Sequence, residues 1–180
     1  MRLDFGAPTL QGLDALDVDL LAVSVFAEDR PLRDLAGLVD WRLNGQVSRV
    51  LHAGRFGGQP GESMLLPCGD RIGAGRLLVF GLGDSAGWSE GRFAEAAEWI
   101  WGIASRLRAT RVAMPFPGAH RSAIAPGRCG RLLVSAAGRA YGTEGEAVVL
   151  RLLTRTEDRR EIHAALDGDR AHQRVDFMTQ

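Results

Sequence analysis

Short runs of consecutive apolar residues alternate along the chain with longer stretches in which apolar residues recur every third or fourth position. The first clear run is Asp19-Leu20-Leu21-Ala22-Val23-Ser24-Val25-Phe26. It is too short for a buried helix and rich in β-formers, so it predicts a central strand. A shorter strand around Arg2 to Phe5 precedes it. Pro31 is expected to open a helix, where its missing N–H costs nothing. Leu32, Leu35, Ala36, Val39 and Leu43 follow at helical spacing, and Asn44-Gly45 ends the helix. A short second helix covers Val47 to Ala53. The segment Gly54-Arg55-Phe56-Gly57-Gly58-Gln59-Pro60-Gly61 reads as a turn-rich connection.

Two strands, Glu62 to Pro67 and Arg76 to Leu82, are joined by a turn at Gly69-Asp70. Ser89 is placed to cap a long helix to about Arg108. A strand from Arg111 to Pro115 comes next, Pro117-Gly118 breaks the chain, and a helix runs from about Ala123 to Tyr141. Ala147 to Thr154 is the last strand. Thr156 caps a final helix with Glu157 and Asp158 in its first turn, where the helix dipole favours them. Strands alternate with helices. This predicts a three-layer α/β/α sandwich around a mixed, mostly parallel sheet. Residues 1–168 form one domain, and 169–180 a polar, loose tail.

The long helix carries two apolar stripes. Phe93, Ala97, Ile100, Ala104 and Leu107 make one face; Ala96, Trp99 and Ile103 lie beside it. Trp101 falls about 200° around from Trp99, so one core face does not easily take both. Trp99, Trp101 and Ile103 are therefore the candidate protein-contact residues, with Trp41 and Trp88 as further candidates.

Composition removes several kinds of chemistry. The chain has 180 residues, 46% hydrophobic and 24% charged, as in ordinary globular domains. No apolar stretch reaches the length of a membrane span, and the N-terminus lacks the pattern of a signal peptide, so a cytoplasmic location is expected. The 22 basic residues are all arginine, balanced by 22 acidic ones. A lysine-free chain has no Schiff-base or P-loop lysine, and a net charge of zero argues against a broad nucleic-acid face. Cys68 and Cys129 read as buried thiols. His52, His120, His163 and His172 share no metal-ligand spacing, so neither a metal nor any other cofactor is expected.

The loop Gly81-Leu82-Gly83-Asp84 follows a strong strand. Such glycines can let backbone N–H groups cradle a phosphate, or let the chain turn tightly beside the sheet.

Taken in order, the 19–26 strand, Leu43-Asn44-Gly45-Gln46-Val47-Ser48, the 54–62 segment and Leu77-Leu78-Val79-Phe80-Gly81-Leu82-Gly83 resemble the N-terminal domain of the cytosolic leucyl aminopeptidase family. The similarity is clearest from about residue 19 to 115 and extends to about 155. It implies a macro-domain-like fold and a non-catalytic domain, with the metal ions and active-site lysine on a separate C-terminal domain that would begin where this chain stops. No catalytic or metal residue carries over. Two roles follow as expectations: an assembly module, as a homo-oligomer or with a protein partner, or a binder of ADP-ribose and related nucleotides. By the same analogy Gly81, Leu82, Gly83 and Asp84, with Pro117 and Gly118 after Pro115-Phe116, would border the candidate ligand crevice, but the loop lacks the macro pattern Gly-x-Gly-Val-x-Gly. Bacterial family members that act as accessory DNA-binding proteins suggest a third role, which the charge balance opposes.

Overall fold

A computed structural model describes residues 1–176, with side chains described through residue 168. Its centre is β2 (Val18–Phe26), the predicted central strand. Around it lie β1 (Arg2–Gly6), β3 (Ser63–Pro67), β4 (Ala74–Gly83), β5 (Arg111–Met114) and β6 (Val149–Leu153), in the order β1-β6-β5-β2-β4-β3. All neighbours run parallel except β3, which pairs antiparallel with β4 at one edge.

The uninterrupted apolar run of β2 follows from burial on both faces. Leu20, Ala22 and Phe26 point into one core with Leu78 and Phe80 of β4. Leu21, Val23 and Val25 point into the other with Leu77 and Val79. The first core is covered by α4 (Glu90–Arg106), α5 (Pro126–Tyr141) and α6 (Thr156–Asp176); the second by α1 (Leu10–Asp14), α2 (Asp34–Arg42) and α3 (Gln46–His52). This is the three-layer sandwich.

Local signals account for most boundaries. Ser89 Oγ accepts the N–H of Arg92 at 3.4 Å and starts α4 as expected. Thr9 does the same for α1, a helix that the apolar pattern did not reveal because it is a single short turn or so. Pro31 does not open α2: the helix starts at Asp34, and Pro31 lies in the lead-in. At the α2–α3 junction, Asp40 is buried and reaches across the bend. Its Oδ1 accepts the N–H groups of Val47 at 2.8 Å and Ser48 at 3.0 Å, satisfying two orphan donors of α3. Asn44 and Gly45 carry the left-handed turn between the two helices, with φ of 56° and 74°. Toward the C-terminus, α6 continues past Gly168 to Asp176, where a loose tail was expected; residues 177–180 lie outside the described residues.

Asp19 fixes the start of β5 beside β2. Its Oδ2 accepts the N–H groups of Thr110 at 2.9 Å and Arg111 at 2.8 Å, and the Arg111 guanidinium meets Oδ1 at 3.1 Å. Partial burial alone would raise this carboxyl; those donors outweigh it and hold it below its ordinary value.

The structure corrects one candidate contact residue. Trp101 is fully buried, edge-on to Tyr141 with ring centroids 6.0 Å apart. It follows Ala97 by four residues and precedes Ala104 by three, so it belongs to the core face of α4, which curls around to take it. Trp101→Ala is expected to cost about 3–5 kcal/mol in chemical denaturation. Trp99→Ala, from a half-buried flank, should cost clearly less; equal losses would contradict the placement.

Candidate functional site

The candidate crevice at Gly81, Leu82, Gly83, Asp84, Pro117 and Gly118 is closed by the chain itself. The 57–60 segment lies across the end of β4. Gly81 donates its N–H to the Glu62 carbonyl at 3.0 Å, and Gly83 donates to the Gly58 carbonyl at 2.8 Å. A Cβ at Gly81 would stand 2.2 Å from the Gln59 carbonyl oxygen, and Gly83, at φ 78°, packs against Pro60. Leu82 is buried, and Asp84 caps the short 3-10 turn Ser85–Gly87. Gly118 donates to Ser24 Oγ at 3.1 Å and abuts Phe26 and Trp88. Thus the glycines serve close approach of backbone to backbone, and their N–H groups are not available to cradle a phosphate. Trp88, half-buried, packs over this end, edge-on to Phe26 at 5.3 Å.

One carboxylate pins this closure. Glu62 Oε2 accepts the N–H groups of Gly57 at 2.8 Å and Gln59 at 2.9 Å. The Gln59 N–H contributes most to holding it below the ordinary glutamate value. The preceding glycine-rich connection was visible in the sequence; its docking onto β4 was not.

An open cleft of about 920 Å³ lies beside the closed crevice. Its floor is Val23 and Ser24 of β2, Pro115 and Phe116 beyond β5, and Leu153 at the end of β6 with Thr154 just after it. The start of α2 and the 119–126 segment form its walls. It sits at the carboxyl ends of β2 and β5, where the strand order reverses, the usual ligand position in open α/β sheets. At its rim, His120 links the two walls. Nε2 lies 3.3 Å from Asp29 Oδ1 and Nδ1 lies 3.1 Å from Asp34 Oδ2. Asp29, only 2% exposed, also accepts the Phe26 N–H at 3.0 Å and lies 3.7 Å from Arg121. Among the histidines with described side chains, only His120 stands at the cleft. The side chain of His172 lies outside the described residues.

The cleft's reactive chemistry is limited. Burial, reinforced by the charge of Glu90, pushes the Cys129 thiol up to about 12, so it stays protonated and is a poor nucleophile. The N-terminus of α5 is stoppered by the chain: Pro126 has no N–H, and Gly127 donates to Glu161 Oε1 at 3.0 Å. Among the described residues, no group of His, Cys, Asp and Glu is arranged to hold a metal ion. No helix of the described residues is long and apolar enough to cross a membrane.

The contact candidates divide. Trp99 and Ile103 are half-buried on the flank of α4, and Trp99 stands edge-on to Phe80 at 6.1 Å. Leu65 of β3, which sequence analysis did not single out, is 44% exposed. Paired with Leu78, it shares the sheet face of Phe80. Its apolar strand looked like a buried one; only its place at the sheet edge exposes it. Trp41, the most exposed large apolar side chain among the described residues at 63%, is covered on one side by the Arg42 guanidinium, 5.4 Å from its ring centroid.

A mixed sheet of this order, layered by helices and notched at the point of reversal, is an α/β/α sandwich of the macrodomain type. A Trypanosoma brucei macrodomain solved in complex with ADP-ribose shares the fold at a TM-score of 0.71 and 11% identity, covering 92% of this chain and 69% of its own. A tomato leucine aminopeptidase mutant aligns at a TM-score of 0.65 and 19% identity, over 92% of this chain and 35% of its own. The model of the cytosol aminopeptidase family's N-terminal domain matches residues 22–141, and the chain belongs to that family. A probable cytosol aminopeptidase of Cupriavidus pinatubonensis is 35% identical over 108 residues, 60% of this chain. The chain spans about a fifth of the length of that relative.

Because the Glu62 carboxyl is depressed, its pinning of the 57–60 segment is fully present above the ordinary glutamate pKa of about 4.3 and lost as pH falls through its lower folded value. The Gly57 and Gln59 amide resonances should titrate together with a midpoint below that value; a midpoint above it would refute the assignment. Gly81→Ala should lower stability by about 1–3 kcal/mol through overpacking against Gln59, measured by thermal denaturation.

Proposed function

We propose that this domain is a non-catalytic contact module of the cytosol aminopeptidase family, meeting another protein through the β3 edge and the adjoining flank of α4. The carrying observation is Leu65: a large apolar side chain, 44% exposed, on an edge strand without a single charge. Trp99 and Ile103 extend the apolar surface on the same side of the sheet. Two facts support the non-catalytic part. The family match lies in the N-terminal domain. The chain has no lysine, so it holds no counterpart of the active-site lysine that the family resemblance places on the other domain.

Light scattering on a sizing column tests the contact, with the protein alone and mixed with a separately prepared peptidase domain of the family. Association in either experiment is expected, and a strict monomer in both overturns the reading. With leucine p-nitroanilide and added Mn²⁺ or Zn²⁺, no turnover is expected; metal-dependent hydrolysis would overturn the non-catalytic assignment.

A second reading is favoured by the open cleft of about 920 Å³ at the strand-order reversal. Under it, an amphipathic small molecule occupies the floor between β2, β5 and β6. The macrodomain of Trypanosoma brucei with the same fold has been solved with ADP-ribose. Closure of the Gly81–Gly83 strip counts against a phosphate cradle here. Calorimetry with ADP-ribose discriminates: no heat at millimolar ligand rejects this reading.

A further inference from the structure

We propose that the free edge of β3 pairs with β3 of a second copy of this chain, antiparallel about a two-fold axis at Leu65. The pairing joins two six-stranded sheets into one. This rests on the contact-module reading and names its partner.

The hydrogen-bond phase of β3 defines what its free edge offers. Gly81 donates to the Glu62 carbonyl, and this pair continues the register of Ser63 with Phe80 through Pro67 with Arg76. Bonded pairs alternate along an antiparallel ladder. Met64 and Leu66 therefore turn their N–H and C=O groups toward β4. Ser63, Leu65 and Pro67 turn theirs outward. Pro67 fits this phase, because its nitrogen faces away from β4 and the ladder loses nothing.

The outward groups complement themselves. About the axis, Leu65 exchanges two hydrogen bonds with its twin. The Ser63 N–H of each copy meets the Pro67 carbonyl of the other. Four bonds form, and the only gap is at the Ser63 carbonyls, which face proline nitrogens. The side chains match as well: Met64 faces Leu66, and Leu65 faces Leu65.

The α4 flank continues the apolar edge toward a second copy. Glu95, Trp99, Ile103 and Arg106 follow at steps of four, four and three, one stripe on the helix. Trp99 touches Phe80, and the Arg76 guanidinium donates to the Leu107 carbonyl at 3.3 Å, so the stripe runs along β4 beside β3. Trp99 stands level with Phe80 and Leu107 level with Arg76, so a two-fold at Leu65 and Leu78 turns Ile103 toward its own twin and Trp99 toward Leu107, an apolar match. The opposite edge of the sheet differs. Strand β1 carries Arg2 and Asp4, ion-paired at 3.1 Å, the kind of charge that keeps an edge from pairing. Strand β3 carries none.

Sedimentation equilibrium of the full chain from low to high micromolar concentration is expected to show a monomer–dimer equilibrium. Leu65→Arg sets two like charges directly opposite each other and should abolish the dimer over that range, while the circular dichroism spectrum stays unchanged. Pro67→Ala supplies the missing N–H twice per dimer and should tighten it about tenfold. Trp41→Ala should leave it unaltered. Amide exchange of the wild type gives a readout that needs no variant. Ser63 and Leu65 should exchange quickly when dilute and slow as concentration rises, while Met64 and Leu66 stay protected throughout. A chain that remains monomeric at high micromolar concentration overturns the proposal. So does a dimer that survives Leu65→Arg, or whose formation leaves the Ser63 and Leu65 amides unprotected. In that last case, or if only the peptidase domain binds, the contact-module reading stands and the strand pairing falls. A dimer that Pro67→Ala does not tighten points to plain apolar contact and also overturns pairing.

Discussion

Burial of β2 on both faces is the constraint on which the rest of the structure depends. A strand of nine residues with apolar groups on both sides must be flanked by strands and covered twice, once by α1–α3 and once by α4–α6. The two covers are unequal in kind. The α4–α6 layer is built from long helices whose apolar stripes wrap around Trp101 and Phe93. The α1–α3 layer consists of short helices, α2 and α3 joined by a left-handed turn at Asn44 and Gly45, and the Asp40 side chain accepts the N–H groups that the start of α3 leaves unpaired.

The same economy of backbone groups explains why one glycine-rich strip is closed and the neighbouring cleft is open. At the end of β4 the absence of side chains at Gly81 and Gly83 lets the 57–60 segment lie directly on the strand, and the two segments satisfy each other's polar groups. Glu62 anchors that segment by accepting two of its N–H groups. At the ends of β2, β5 and β6 no segment folds over, and His120 spans the rim between Asp29 and Asp34 instead. A domain of the macrodomain type can thus keep the position of a ligand cleft while losing the glycine donors beside it. Fold likeness by itself therefore says little about what the cleft accepts.

The two sheet edges are treated differently. Strand β1 is guarded by charge and by the Arg151 guanidinium that approaches Asp4. Strand β3 is short, uncharged and continuous with the apolar flank of α4. That edge and its flank depart from the solvated pattern of β1.

By itself the sequence determined most of the elements, their alternation, the layered class and the family, because apolar period and capping chemistry are local; the short α1 escaped it. Ser89 announced α4, and the run from Asp19 to Phe26 announced the central strand. Three things were decided only by tertiary structure. Trp101 became core rather than contact because α4 is covered over a wider arc than one stripe suggests. Gly81 and Gly83 became a docking strip because a segment some twenty residues earlier folds back onto them. Leu65 became surface because β3 falls at the end of the sheet, and strand order is set by non-local pairing that no local pattern encodes. The lack of a lysine was legible from the start; which apolar side chains stay exposed was not, since exposure is a property of the assembled sheet.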